Sequence, residues 1–169
     1  MKSTAIANAI AKIAVVILLW PAGLLAAQNA DSAAISKLLV QVKHHAALAN
    51  DDAATLESYT RSNVSWKTHA KQLNLMKEHV NNLVTDAGQL KAMREDGSPG
   101  QQDAIDRITP LLPVITTHLT AMIEHLNANP NQIHMRSYRD YVDTNQRLIS
   151  RTYKLIADQV NGKARARAD

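Results

Sequence analysis

The sequence predicts an all-α protein: an antiparallel up-down four-helix bundle with an additional short helix near 53–61. Every long segment after residue 30 places its apolar residues at helical spacing, and none sustains the in-out alternation of a half-buried strand. Two lines of seven-residue period, Tyr59-Trp66-Leu73-Val80-Ala87 and His69-Met76-Leu83-Leu90, form the a/d seam of a coiled coil, in which helices pack side by side. Apolar residues make up 46% of the 169, and Gly and Pro number only five each, which excludes a disordered or collagen-like chain.

Residues 1–27 read as a signal peptide. Lys2 and Lys12 supply positive charge, Ile13 to Trp20 is an unbroken apolar run, and Pro21 and Gly23 precede the small-residue stretch Leu25-Ala26-Ala27. The run is shorter than the roughly 20 residues that a span needs. Cleavage after Ala27 is therefore expected, with a periplasmic or secreted destination, and contact with a membrane only through an uncleaved signal. Removing residues 1–27 takes away two lysines and no acid, which leaves 17 basic and 15 acidic side chains. So balanced a chain, with few aromatics between its charges, does not fit nucleic-acid binding. Residues 28–162 form one bundle domain, and 163–169 a basic disordered tail.

Helix A starts at Asp31 or Ser32, either of which can cap it, and its apolar line is Ile35, Leu38, Leu39, Val42, Ala46 and Ala49. Asn50-Asp51-Asp52 is read as a turn, followed by the short helix 53–61. Ser62-Asn63-Val64-Ser65 breaks the chain again, because these side chains compete for backbone hydrogen bonds. Helix B follows over 65–95, with Trp66 expected to be buried on its seam. Gly97 is expected as a left-handed cap. Ser98-Pro99-Gly100-Gln101 is a capping box that opens helix C. Pro110 and Pro113 remove backbone donors inside helix C, which predicts a kink near Asp106–Thr109. Helix D follows Asn129-Pro130-Asn131, turns Tyr138, Tyr141, Val142, Asn145, Leu148, Ile149, Thr152, Leu155 and Ile156 inward, and closes at Gly162.

The chemistry-bearing motifs are mostly missing. Zero cysteines exclude disulfides, thiolate zinc sites and covalently attached haem. No Glu-x-x-His pair of di-iron bundles occurs, nor HExxH, nor a phosphate-binding glycine loop, nor a nucleophile elbow. No two histidines stand three or four apart, the spacing that turns two ligands to one point on a helix. No catalytic residue is assigned.

Two features remain. Leu73-Asn-Leu-Met76-Lys-Glu78-His79-Val80-Asn81 is echoed by Leu119-Thr-Ala-Met122-Ile-Glu124-His125-Leu126-Asn127. Met76 with His79 and Met122 with His125 are thioether–imidazole pairs that suit copper, although core Leu and Met beside solvated Glu and Asn would give the same pattern. Second, pairing antiparallel helices by level sets His69, His125 and His134 at one end of the bundle, and Met76 level with His118. Such a tier is a metal or haem site, a pH-sensitive cluster, or three separately bonded imidazoles. His69 lies on the seam, so mild acid is expected to destabilise the fold. The sequence thus points to an exported, non-enzymatic bundle that binds an unidentified protein or small ligand, with no cofactor expected. The alternative is a periplasmic bundle holding copper or haem through His69, His79, His118, His125, His134, Met76 and Met122.

Overall fold

The computed structural model describes residues 31–165, and the expected signal peptide lies outside them. Among the described residues the fold is all-helical. Helix α1 is Ala33–Tyr59, α2 Trp66–Ala92, α3 Pro99–Ile108, α4 Leu111–Ala128 and α5 Arg136–Arg165, with short 3-10 turns at Arg94–Asp96 and Pro130–Gln132. α3 and α4 together form one leg of an up-down bundle. α1 packs along α2 and α5, and α4 closes the square less extensively between α5 and α2.

Ser32 caps α1, where the backbone N–H of Ile35 donates to its Oγ at 3.5 Å. The expected turn at Asn50-Asp51-Asp52 is absent, and α1 runs through it as a single helix. Two causes override the local turn preference. The buried stripe Ala46, Ala49, Ala53, Leu56 continues without a change of phase. The Asp52 carboxylate accepts from Gln72 and meets His79 of α2 instead of capping a new helix. Residues 53–59 of the expected separate helix are therefore the last part of α1, which ends at Tyr59. The expected break at 62–65 is present: Thr60 and Ser62 hydroxyls donate to carbonyls at the end of α1, and Ser65 caps α2.

Trp66 is not buried but 42% exposed. It is the first residue of α2 and lines the outer face of that helix with Lys67, Ala70, Lys71 and Asn74, rather than the seam. The rest of the seam is in the core: Leu73, Val80 and Ala87 on one line, His69, Met76, Leu83 and Leu90 on the other. Gly97 is also corrected. Its backbone is extended, with φ −89° and ψ 153°. Its smallness matters instead, since a Cβ would meet Ile35 Cδ1 at 3.1 Å and Arg94 O and Gln101 Cβ at 3.2 Å.

The capping box at Ser98 and Gln101 forms as expected, with Pro99 in the first turn. The prolines do more than kink the third leg. α3 ends at Ile108, α4 begins at Leu111, and Thr109 and Pro110 separate them. Ile105, Ile108, Leu112, Ile115, Leu119, Met122 and Leu126 all remain buried across that break. On α5, Tyr138, Val142, Asn145, Ile149, Thr152 and Ile156 face inward, whereas Tyr141 is exposed and Leu148 and Leu155 are half-buried. α5 also passes through Gly162 to Arg165. The glycine therefore does not stop the helix where the sequence predicts its end.

Candidate functional site

Breaking the third leg opens a crevice of about 440 Å³ between α2 and the α3–α4 junction. Its walls are Val84, Ala87 and Gly88 of α2 against Leu112 and Pro113 of α4, with Lys91, Thr109, Pro110 and Thr116 at its edges. Gly88 leaves the floor open, because a Cβ there would meet nothing within 4 Å. Both hydroxyls are committed to their own backbone: Thr109 Oγ1 donates to Ile105 O at 3.0 Å, and Thr116 Oγ1 to Pro113 O at 2.9 Å. Lys91 is the sole charged residue of the lining, and it forms no ion pair among the described residues. The volume lies within the usual range of small-ligand sites, about 300–1,000 Å³, and the wall is apolar, as such sites mostly are.

The histidine tier lies at the end where α2 and α5 begin. His69 is buried, and its Nδ1 lies 3.1 Å from the Tyr138 hydroxyl. Tyr59 and Tyr138 make T-shaped contacts with its ring, with centroids 5.8 and 5.3 Å away. Burial holds the His69 pKa below the ordinary imidazole value, and the nearby charge of His134 adds to that. Burial also pushes the Tyr138 phenol well above its usual range, so it remains neutral. His125 stacks near Tyr138 at 6.2 Å and tilts over Tyr141 at 5.0 Å. Its Nε2 is buried with no hydrogen-bond partner among the described residues. His134 is exposed, and its carbonyl accepts from Arg139 at 2.8 Å.

The other expected ligands are spread along the bundle. Met76 and Met122 are fully buried core residues. His79 Nδ1 is 2.6 Å from Asp52. His118 is half-buried, and its carbonyl accepts from Asn145 at 3.3 Å. The structure thus brings His69 and His125 together around Tyr138, but not the Met–His pairs. Among the described residues no group of three or more His, Asp or Glu is placed to hold a metal ion.

Two pairs escaped the sequence search. His45 faces Asp86 at 3.6 Å, and Asp52 faces His79. They are reciprocal, one His and one Asp from each of α1 and α2. The signal was present as a repeat: His45 and Asp52-Ala53 with Leu56, matched by His79 and Asp86-Ala87 with Leu90. Scanning for partners three or four residues away on one helix cannot find pairs that form only when two helices align antiparallel.

The chain matches no known protein family, no curated protein and no solved structure. No helix among the described residues is long and apolar enough to cross a membrane.

Proposed function

We propose that the protein is an exported, non-enzymatic helical bundle that binds an apolar small ligand in the crevice between α2 and α4. The crevice itself carries this reading: it has ligand-site volume, an apolar wall, hydroxyls already bonded and an open floor at Gly88. A catalytic pocket would instead gather titratable groups, and Lys91 is the sole one in this lining. Export rests on the sequence of residues 1–27.

The test is fluorescence of N-phenyl-1-naphthylamine, a neutral probe that brightens in apolar sites. It should brighten with the folded protein. Gly88→Leu, which projects a side chain into the open floor, should reduce that signal at least fivefold. The variant is expected to fold, since leucine is a better helix former than glycine by roughly 0.8 kcal/mol. No brightening, or equal brightening in both proteins, would remove the crevice as the site. Export is checked separately by intact mass of the protein from its native compartment: the expected product has 142 residues and begins at Gln28.

A further inference from the structure

We propose that the outward face of α5, over its second half, docks on an anionic lipid surface and is held there by charge. The near balance of 17 basic and 15 acidic side chains after residue 27 conceals a segregation. Residues 147–169 hold six of the basic side chains, Arg147, Arg151, Lys154, Lys163, Arg165 and Arg167, and two acids, Asp158 and Asp169. Residues 28–146 hold 11 basic and 13 acidic side chains. All the net positive charge therefore lies in the last 23 residues.

The fold turns part of this set into a row. Arg147, Arg151 and Lys154 stand at i, i+4 and i+7, and they line one shallow depression with Gln146 and Ser150. All three are exposed. Asn161 continues the spacing seven residues beyond Lys154, and its side-chain oxygen accepts from Lys43 Nζ of α1 at 2.7 Å. Folding thereby adds a cation that is distant in sequence. Arg147 is bridged to Asp143 at 2.9 Å, whereas Arg151 and Lys154 form no ion pair among the described residues. The helix dipole favours cations only in the last turn. Lys154 stands about three turns before the end of α5 at Arg165, so the dipole does not account for it.

The row suits a lipid surface better than other polyanions. From Arg147 to Arg165 the helix runs about 27 Å at 1.5 Å per residue. A straight row of cations on an outer helix can meet a plane of anionic headgroups along its whole length, and clusters of about four to eight Lys or Arg are what such surfaces attract. Single-stranded nucleic acid would want exposed aromatic rings between the charges for its bases to stack on. The one aromatic between Arg147 and Lys154 is Tyr153, which is half-buried against the core. Gln146 and Ser150 fill the depression instead, so the contact is polar and should be reversed by salt. The surface shares no residue with the crevice.

The experiment sediments the chain of residues 28–169 with vesicles of phosphatidylglycerol or phosphatidylcholine. It should sediment with phosphatidylglycerol at about 50 mM salt, stay in solution with phosphatidylcholine, and be released from phosphatidylglycerol at about 500 mM. Arg151→Gln with Lys154→Gln should weaken that binding at least about tenfold, since each cation near such a surface contributes. Lys67→Gln with Lys71→Gln removes the same charge from the outer face of α2 and should weaken it less than about twofold. No sedimentation with phosphatidylglycerol would overturn the proposal. Equal loss in the two double variants would overturn it too, because net charge alone would then be acting. Binding that survives high salt would mean apolar insertion and would also sink it. Tighter binding of polyglutamate or duplex DNA through Arg151 and Lys154 would give the row to an acidic protein or a nucleic acid instead. Gly88→Leu should sediment like the wild type, and loss of binding there would show that the lipid meets the crevice rather than α5.

Discussion

At the end of the bundle where α1 and α3 begin, one buried glutamine holds two helices together. Gln101 Oε1 accepts from the backbone N–H groups of Ser32 and Ser98 at 2.9 and 3.0 Å. Its Nε2 donates to Ser32 O and Ser36 Oγ at 2.9 and 3.0 Å. Every hydrogen-bonding position of that amide is used, and Ser98 adds a bond to Asp31. At the opposite end His69 shares one bond with Tyr138, and His125 Nε2 has none among the described residues. Both ends bury polar atoms, but one does so with a neutral, saturated group and the other with titratable, under-bonded rings. A saturated buried network fixes geometry, and an under-bonded one leaves the fold dependent on which atoms carry protons.

The largest effect is expected from breaking the saturated end. Gln101→Ala removes four side-chain bonds and leaves the N–H groups of Ser32 and Ser98 without that acceptor. Each buried orphan costs about 1–3 kcal/mol, so a loss of about 3 kcal/mol is expected in urea unfolding. Because no ionisable group is removed, the loss should be the same at pH 5.5 and pH 7.5. A cost below about 1 kcal/mol would mean that water replaces the glutamine and that this end is not the rigid one.

The opposite end should respond to protons. The folded-state pKa of His69 lies below its unfolded value of about 6.5, chiefly because burial penalises the imidazolium. The fold thus prefers the neutral ring, and the unfolded chain takes up more protons in mild acid. The stability that His69 contributes is complete above about pH 6.5 and is lost as pH falls toward the folded pKa. Facing groups do not offset this: Tyr59 comes from α1, His125 from α4, Tyr138 from α5, and His134 adds repulsion from the turn before α5. Urea titrations between pH 7.5 and 5 should show a steeper fall in wild type than in His69→Gln. The His45–Asp86 and His79–Asp52 pairs are present in both proteins, so they cancel in the comparison. Identical slopes would show that His69 does not sense pH.

The sequence was most legible where one helix determines its own structure. The core stripes of α1, α2 and the third leg and the capping box at Ser98 follow from local spacing, and the prolines predict a kink where the structure has a full interruption. It was least legible where a second helix intervenes. Asp52 has a turn-forming side chain, but its partners Gln72 and His79 on α2 hold it inside α1. Gln101 was legible as a cap, yet three of its four side-chain bonds reach α1 or the residues at its start, which no spacing within α3 could indicate. The crevice depends on how α4 is set against α2 after the third leg is interrupted, and only the prolines at that interruption are written locally.

The smallest effect concerns Trp66, and it tests how far the histidine end extends. On the seven-residue line this side chain belongs with Leu73 and Val80, and a buried tryptophan at that position would cost about 3–5 kcal/mol on truncation to alanine. The structure instead leaves it 42% exposed, at the first position of α2 and on that helix's outer face with Lys67, Ala70 and Lys71, outside the ring contacts of Tyr59, His69 and Tyr138. Trp66→Ala should therefore cost about 1 kcal/mol or less, in the range of substitutions outside the core. The Trp66→Phe variant supplies the spectral control: subtracting its emission from that of the mature wild type should leave a water-like tryptophan maximum. A blue-shifted difference spectrum together with a cost above about 3 kcal/mol would place Trp66 inside the end layer. That layer would then cover His69 with one more apolar group, and the pH-sensitive end would be better sealed than the geometry around Tyr138 implies.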